Sequence, residues 1–288
     1  MINIIAFGYN WTFEKFLKKS RNKKNIRILH VFLPKNRKEK LQPTINICKK
    51  LGLNWSIPEN KDVLLEEVKN IRKENKIDVG VVAAYMMILP KEVLQIPKFG
   101  VINLHPSLLP KHRGAHPINW AIIQGDKYTG CTVHYMTEDV DKGNIILQKK
   151  IEIYNHDISY LAKELAEIGS NLLWKSLELF EKTAPKGKIQ DESEATTDPA
   201  RKPEDGEIRQ DFSAQQAERL IRALAKPWPG AFVKNEGKKF IIFNGELTKS
   251  SSKVKKYISE FGLQWKGKIL FLILKDGKIK ITKWQQKD

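Results

Sequence analysis

The feature that most constrains this chain is a short apolar strand that ends at a histidine. Residues 101–105 (Val-Ile-Asn-Leu-His) are predicted to form a buried strand, and Pro106 ends it because proline cannot donate to a sheet ladder. Side chains alternate between the two faces of a strand, so Asn103 and His105 lie on the same face. Ligands bind beyond the carboxyl ends of parallel strands, where this amide and imidazole would meet them. From these residues alone, a reaction centre and a hydrogen-bonded pair that anchors a loop remain equal alternatives.

Apolar runs alternate with amphipathic segments before this strand. Strands are predicted at residues 2–7, 26–33, 54–57 and 77–84, and helices at 11–20, 43–51 and 62–75, with a basic loop at 34–40. This alternation predicts an α/β fold with an open, doubly wound, mostly parallel sheet. The first strand is followed by a single glycine, Gly8, so the sequence lacks the glycine pattern of a dinucleotide-binding turn.

The rest of the chain predicts a second, smaller domain. A loop at 111–115 precedes a helix at 117–124. Strands at 130–136 and 145–153 then flank an acidic turn with Asp141 at its tip. A long helix follows at 157–183. A helix at 214–225 and short strands at 232–233, 239–243, 269–274 and 279–284 predict a β-rich, OB-like barrel. We therefore expect a catalytic domain at 1–183, a linker or extended wrap at 184–206, and a β-rich domain at 207–288.

The charge of the chain suits an anionic partner without identifying it. The net charge is +18 over 288 residues, and the last 88 residues carry 20 lysines and arginines against 10 aspartates and glutamates. RNA and an acidic substrate such as a sugar nucleotide both fit this charge. Much of this charge comes from scattered lysines, without the aromatic and arginine interleaving of a dedicated nucleic-acid platform, so a lysine-rich composition accounts for it; these lysines include Lys249, Lys253, Lys255, Lys256, Lys266 and Lys268.

Cysteine usage and hydropathy set the expected compartment. The two cysteines, Cys48 and Cys131, are far apart in sequence and have no metal-type spacing, so we expect free thiols and neither a disulfide nor a zinc site. No apolar run is long enough to cross a bilayer, and the first residues lack a basic leader. The sequence predicts a cytoplasmic protein with no membrane partner.

Asp141 is the third polar residue with a candidate chemical role. A carboxylate beside a histidine raises the imidazole pKa and fixes its tautomer, while an amide N–H can stabilise an oxyanion. With Asn103 and His105 this set suits acyl transfer, although an aspartate before Gly143 is also ordinary turn chemistry. No serine or cysteine has an evident nucleophile setting, so the sequence favours direct transfer, without a metal.

The motifs resemble those of the 10-formyltetrahydrofolate-dependent formyltransferases. The resemblance rests on Asn-Leu-His-Pro-Ser-Leu-Leu-Pro at 103–110, Arg-Gly at 113–114, Gly-Cys-Thr-Val-His at 130–134 and Asp-Lys-Gly at 141–143 followed by Ile-Ile-Leu-Gln at 145–148. It implies a Rossmann-like formyltransferase domain whose catalytic residues are Asn103, His105 and Asp141. It also implies 10-formyltetrahydrofolate as cosubstrate, bound near Tyr85, Met86, Ile88, Leu89, Pro90, Ser107, Leu108, Leu109, Pro110, Thr137, Glu138, Asp139 and Val140.

A mechanistic hypothesis follows from this resemblance. A neutral primary amine attacks the formyl carbon, Asn103 and a protonated His105 stabilise the oxyanion, and His105 with Asp141 moves the protons. The other histidines in these motifs, His112, His116 and His134, are predicted to be structural, with an acceptor contact left open for His116.

The amine acceptor is less constrained than the reaction. Residues 113–121 resemble the branch that holds methionyl-tRNA formyltransferases and amino-sugar formyltransferases, and residues 201–208 and 221–232 resemble its C-terminal barrel. Glycinamide ribonucleotide formyltransferases rank lower because they usually lack a second domain. Methionyl-tRNA formyltransferases typically carry a long glycine- and lysine-rich loop, whereas residues 35–41 here are short and lack glycine. The residue spacing in the segment 222–227 resembles that of the UDP-4-amino-4-deoxy-arabinose formyltransferases.

The sequence therefore favours a nucleotide-linked amino sugar as the acceptor. Initiator methionyl-tRNA, held by the basic second domain, is the alternative. A non-catalytic basic binding module is a function of a different class, which the intact set of Asn103, His105 and Asp141 disfavours. A homodimer through the β-rich domain is left open.

Overall fold

The computed structural model describes the chain as two compact units. The described residues are 1–235, 237–248 and 261–287. The first unit comprises residues 1–114, 130–151 and 163–197, and the second comprises 115–129, 152–162 and 198–288. The domain boundaries expected from the sequence stay predictions.

The helices and strands follow the predicted alternation. The helices are α1 Asn10–Lys19, α2 Gln42–Leu51, α3 Lys61–Glu74, α4 Lys91–Gln95, α5 Pro117–Gln124, α6 Ile158–Leu179 and α7 Ala214–Ala223. The strands are β1 Ile2–Gly8, β2 Ile26–Phe32, β3 Trp55–Ser56, β4 Val79–Ala83, β5 Val101–His105, β6 Arg113–Gly114, β7 Tyr128–Tyr135, β8 Ile145–Glu152, β9 Thr197–Asp198, β10 Ala231–Asn235, β11 Lys238–Leu247, β12 Gly262–Lys266, β13 Ile269–Leu274 and β14 Gly277–Lys287.

A seven-stranded sheet in the order β3-β2-β1-β4-β5-β7-β8 carries Asn103 and His105 on β5, and Asp141 lies between β7 and β8. Strands β3 to β5 pair in parallel, and β7 runs antiparallel to β5. The mostly parallel, doubly wound sheet predicted from the sequence is confirmed. The antiparallel step has a consequence for the site, because it sets His134 opposite Asn103.

Local sequence signals account for the ends of several helices. Asn60 caps α3 by accepting hydrogen bonds from two backbone amides of its first turn, at 3.0 and 2.9 Å. Gly52 ends α2 in the left-handed conformation, with φ of 65°, as its position after the last apolar residue predicts. Packing then fixes the helices: Phe16 of α1 stacks on Trp174 of α6 with ring centroids 4.5 Å apart, and both are buried. Burial of such a side chain contributes about 1.5–3 kcal/mol.

Several short elements were not expected from the sequence. Residues 35–40, predicted as a loop, form a 3₁₀ helix, and α4 begins directly after Pro90. The two-residue strands β6 and β9 pair with each other, so part of the 184–206 segment is hydrogen-bonded to the chain after β5. These elements are too short for hydrophobic periodicity to reveal, and the β6–β9 pair depends on contacts distant in sequence.

The second unit contains a five-stranded antiparallel sheet in the order β10-β11-β14-β13-β12. Helix α7 packs on this sheet, and Asn119 of α5 donates a hydrogen bond of 2.7 Å to the carbonyl of Ala223 at the end of α7. The β-rich second domain is confirmed, with β12 as an unpredicted strand. Lys249, Lys253, Lys255 and Lys256 lie outside the described residues. Within the described ranges, no helix combines the length and apolar character needed to span a membrane.

Candidate active site

His105, the last residue of β5, is buried with a defined tautomer. Its Nε2 lies 2.7 Å from the backbone oxygen of His112. Because a carbonyl oxygen only accepts, the proton of the neutral ring lies on Nε2. The Nδ1 atom then presents its lone pair 3.4 Å from Oδ2 of Asp141. His105 is therefore oriented to take up a proton next to a carboxylate.

Burial decides the protonation state of His105. Desolvation lowers its pKa below the ordinary value, while the charge of Asp141 and the hydrogen bond to His112 raise it, and the net direction is downward. The resting ring is neutral at neutral pH. A neutral ring can accept a proton, whereas the hypothesis drawn from the sequence used a protonated His105, and both roles stay predictions.

His134 completes the cluster, although the sequence predicted a structural role for it. The pairing of β5 with β7 sets His134 opposite Asn103, and Nδ2 of Asn103 lies 3.2 Å from Nε2 of His134. The Nδ1–H of His134 donates to the backbone oxygen of Tyr135 at 2.8 Å, so Nε2 of the neutral ring accepts the amide hydrogen. The same Nε2 lies 3.4 Å from Oδ1 of Asp141. His134 thereby orients the amide of Asn103.

Asp141 lies between the two histidine rings as an ionised carboxylate. Burial would raise its pKa, but the neighbouring rings of His134 and His105 and the backbone amide of Gly114 together lower the pKa to about 2. The Gly114 amide donates to Oδ2 at 2.9 Å. Asp141 has a left-handed backbone with φ of 56°, a conformation that a non-glycine residue adopts at some energetic cost. The sequence marked Asp141 correctly as a turn residue, and the structure adds that the turn aims its carboxylate at His105.

The backbone after Asp141 is fixed by a close approach and by a side-chain amide. A Cβ atom at Gly143 would lie 1.8 Å from the backbone oxygen of Tyr135, so only glycine fits there. Nε2 of Gln190 donates to the carbonyls of Asp141 and Gly143, at 2.7 and 2.8 Å. Gln190 belongs to the segment that the sequence identified only as a linker or wrap.

Arg113 fixes Gln190 in turn. Its Nε and Nη2 donate to Oε1 of Gln190 at 3.1 and 2.8 Å, and the guanidinium forms a bidentate pair with Glu192. The hydrogen bond to Glu192 raises the pKa of Arg113, which is buried and remains charged. Thr196, in the same segment, accepts hydrogen bonds from the backbone amides of His112 and Arg113. A layer of polar contacts thus supports both Asp141 and the carbonyl that orients His105.

The residues predicted to bind the cosubstrate fall into two groups in the structure. The first group joins residues 85–90 to residues 137–140, because Lys91 forms an ion pair of 2.6 Å with Glu138, and Met136 packs against the hydrophobic cluster that contains Tyr85 and Leu89. Tyr85 and Leu89 are buried, whereas Met86, Ile88 and Val140 are exposed apolar side chains. Thr137 and Asp139 are also exposed, and Pro90 precedes α4.

The second group, residues 107–110, is tied to β7 and β8. The Ser107 hydroxyl is buried and donates to the carbonyl of Lys111 at 2.7 Å, so its polar group is already used. The amide of Leu109 donates to the hydroxyl of Thr132, and Gln148 donates to the carbonyl of Leu109. Leu108 and Pro110 are partly exposed beside them. The described contacts do not join this group to residues 85–90.

The arrangement provides the groups that acyl transfer to an amine requires. It holds a neutral imidazole that can accept a proton, a carboxylate that stabilises the resulting imidazolium, and an oriented amide donor for a developing oxyanion. The whole constellation derives from β5, β7 and the 113–114 and 141–143 segments.

Comparison with known families agrees with this chemistry. The family model of formyl transferase matches residues 3–177, and that of the formyl transferase C-terminal domain matches residues 201–288. A methionyl-tRNA formyltransferase of Caldicellulosiruptor saccharolyticus is 44% identical over 185 residues, which cover 64% of this chain and 58% of that protein. A methionyl-tRNA formyltransferase of Caldanaerobacter subterraneus subsp. tengcongensis is 38% identical over 214 residues, covering 73% of this chain and 68% of the relative.

A solved structure confirms the fold. The crystal structure of WlaRD, a sugar 3N-formyl transferase crystallised with dTDP and 5-N-formyl-THF, aligns with a TM-score of 0.72 at 18% identity. The alignment covers 100% of this chain and 98% of that one. The two-part architecture is therefore common to both proteins.

Proposed function

Because the chain belongs to the formyl transferase family, we propose that it transfers a formyl group from 10-formyltetrahydrofolate to a primary amine. The observation that carries this proposal is the convergence of Asn103, His105 and Asp141, with hydrogen-bonding or ion-pair distances between them and His134 of 3.2 to 3.4 Å. The folate substrate supplies the formyl group on a nitrogen that can leave.

The residues have separate tasks in this reaction. Nδ1 of His105 accepts the proton that the attacking amine loses, and Asp141 stabilises the imidazolium that forms. The amide of Asn103, oriented by His134, donates to the formyl oxygen as negative charge develops on it. His105 then returns the proton to the nitrogen that leaves, so the enzyme ends in its starting state.

The surface near the first cluster fits a flat folate substrate. Met86, Ile88 and Val140 have exposed fractions of 46%, 73% and 63%, and an aromatic pteridine would cover apolar side chains of this kind. The buried hydroxyl of Tyr85 lacks a hydrogen-bond partner among the described residues. We propose that Tyr85, Met86, Ile88, Leu89, Pro90, Thr137, Glu138, Asp139 and Val140 form this site and that Ser107, Leu108, Leu109 and Pro110 shape it from the other side.

We propose initiator methionyl-tRNA as the acceptor. The two relatives reported above carry that activity in their names, and the second unit has a surface that suits RNA. Trp284 of β14 lies with its ring centroid 5.9 Å from those of both Phe240 and Trp265. A lysine is adjacent in sequence to each ring, namely Lys239, Lys266 and Lys283, and Lys239 stands opposite Lys287 in the strand pairing. The fold thus brings together three aromatic rings from separate strands, each with a lysine next to it in sequence.

A nucleotide-linked amino sugar is the second candidate acceptor. The 3₁₀ helix at 35–40 is held by ion pairs of Lys35 and Lys38 with Glu59, so a long, glycine-rich loop is not present there. That feature favours a small acceptor over an RNA stem.

Parallel turnover assays test these proposals. Initiator methionyl-tRNA and a panel of amino-sugar nucleotides would each be mixed with 10-formyltetrahydrofolate and the full chain. Turnover on the tRNA alone supports the first acceptor, and turnover on a sugar nucleotide alone supports the second. No turnover on either, with folded protein, would contradict both acceptors and favour a non-catalytic binding role.

A further inference from the structure

The second unit contains a cavity that shares no residue with the candidate active site. Its volume is about 730 Å³, and it is lined by the end of α5, residues 153–157 and 160, one face of α7 and residues 244–247 of β11. Sites for small ligands typically measure about 300–1,000 Å³. The cavity is therefore large enough for a cofactor-sized molecule.

One wall of the cavity is aromatic. The rings of His156 and Tyr160 stack with centroids 3.8 Å apart and an interplanar angle of 16°, and Tyr154 meets His156 edge-on at 6.1 Å. Tyr154 and Tyr160 have exposed fractions of 67% and 48%, so the described chain leaves much of both rings uncovered. An extended aromatic surface beside a cavity favours a flat ligand that stacks.

A nearly buried ion pair holds this wall in place. Arg222 donates to the backbone oxygen of His156 at 2.9 Å and pairs with Glu218 at 2.5 Å. The side chains of Arg222 and Glu218 are each 14% exposed. The pair is neutral as a unit, and its function is to fix the segment that carries the aromatic rings.

Arg219, one turn earlier on α7, has a different arrangement. Its guanidinium packs over Gly125, where an added Cβ would lie 2.1 Å from Cζ, so the glycine makes room for it. The hydrogen bond that the described chain gives this guanidinium, to the carbonyl of Gln124, is long at 3.4 Å. Arg219 therefore retains donors for an anionic group in the cavity.

The remaining polar residues limit the charge of that ligand. Asp157 accepts a hydrogen bond from the amide of Tyr160 at 2.9 Å and serves the start of α6. Asp126 and Glu246 add negative charge to the lining, whereas Asn155 and Asn244 are neutral amides. These carboxylates would repel a ligand with several phosphates. A ligand with one phosphate, bound to Arg219, is compatible with them.

We propose that this cavity binds a nucleoside monophosphate. The base stacks on the Tyr160 and His156 pair, the amides of Asn155 and Asn244 meet its polar edge, and Arg219 binds the phosphate. The proposal is independent of the formyl transfer assigned to the first unit.

Calorimetric titration of the full chain tests the proposal. The probes are AMP, GMP, CMP and UMP, with adenosine, inorganic phosphate and ATP as comparison ligands. We expect saturable binding of at least one monophosphate, tighter than that of adenosine, phosphate or ATP. Arg219→Gln and Tyr160→Leu should each weaken it about tenfold or more, since each removes one recognition element.

Matched variants separate a specific site from a general charge effect. Arg209→Gln removes an arginine of the same unit that lies outside the cavity, and Tyr128→Leu removes an exposed aromatic ring outside it. Both should bind the monophosphate as the unchanged chain does. The absence of binding, equal weakening in the control variants, or unchanged binding in Arg219→Gln and Tyr160→Leu would overturn the proposal.

Discussion

The side-chain amide of Gln190 holds the backbone carbonyl of Asp141 at 2.7 Å, from a point 49 residues further along the chain. The carboxylate of Asp141 faces two histidines from a left-handed backbone position, which is easily lost without support. Gln190 provides that support, and Arg113 fixes Gln190. The orientation of the proposed catalytic carboxylate therefore depends on a segment outside the motifs that revealed it.

Replacement of Gln190 tests this dependence. Gln190→Leu removes both hydrogen bonds to the 141–143 backbone, so the turnover number should fall about tenfold to hundredfold, as expected for small displacements of catalytic groups. The KM for the folate should change little, because the side chain of Gln190 contacts the turn and not the proposed folate residues. Gln42→Leu, an exposed glutamine of the same unit, is the control. If the turnover number of Gln190→Leu falls together with its unfolding temperature, Gln190 has a purely structural role.

Removal of the proposed proton-transfer pair has a larger expected effect. His105→Ala and Asp141→Asn should each reduce turnover at least about a hundredfold, because each eliminates a group that accepts or stabilises the transferred proton. Initial rates with saturating 10-formyltetrahydrofolate provide the measurement, and circular dichroism verifies folding. Near-normal rates in both variants would refute the assignment of these residues.

His134 should affect the rate through Asn103. In His134→Phe the amide of Asn103 loses the acceptor at 3.2 Å that orients it. We expect turnover of His134→Phe to fall about tenfold or more. In the double variant that combines His134→Phe with Asn103→Ala, the total loss of turnover should be much smaller than the product of the two single losses. Fully multiplicative losses in the double variant would show that the two residues act separately.

The protonation state of His105 can be measured directly. Because burial outweighs the charge of Asp141, its pKa should lie below 6.5, so the ring loses its proton at lower pH than an exposed histidine. Asp141→Asn removes a contribution that raises this pKa, and the titration should move to still lower pH. NMR of labelled histidines gives the value, with the signal assigned by its absence in His105→Ala. A pKa above 6.5 in the unchanged chain would contradict the predicted direction, and a pKa above neutral pH would restore the protonated resting state.

Much of the fold followed from local sequence. Strand β5 has the predicted bounds, and Gly52 and Gly125 end their helices in the left-handed conformation. These features depend on residues adjacent in sequence, where propensity and periodicity act. The 3₁₀ helix at 35–40 and strand β12 escaped prediction because turn residues and lysines do not distinguish short elements from loops.

The candidate site was predictable only in part, for a similar reason. Asn103 and His105 share a strand face, and alternation alone places them together. His134 joins them only through the antiparallel pairing of β5 and β7, and Gln190 only through tertiary contacts. The sequence did not reveal that β7 pairs antiparallel with β5. The hairpin-like unit predicted for residues 130–153 leaves open which of its strands lies beside β5. The same holds for Trp284 and its aromatic neighbours, which lie on three separate strands.

The aromatic and basic surface of the second unit gives a test of the acceptor. If initiator methionyl-tRNA binds there, Trp284→Leu should raise the KM for the tRNA about fivefold or more, because stacking of one base contributes about 1–3 kcal/mol. Lys283→Gln should reduce the salt dependence of that KM by about one phosphate contact. Neither change should alter the KM for 10-formyltetrahydrofolate. Lys24→Gln, which replaces an exposed lysine of the first unit, is the control for net charge. If the tRNA were attracted only by the net positive charge of the protein, Lys24→Gln and Lys283→Gln would weaken its binding equally. An unchanged KM for the tRNA in Trp284→Leu would show that this surface does not bind the acceptor. A nucleotide-linked amino sugar would then be the better-supported acceptor.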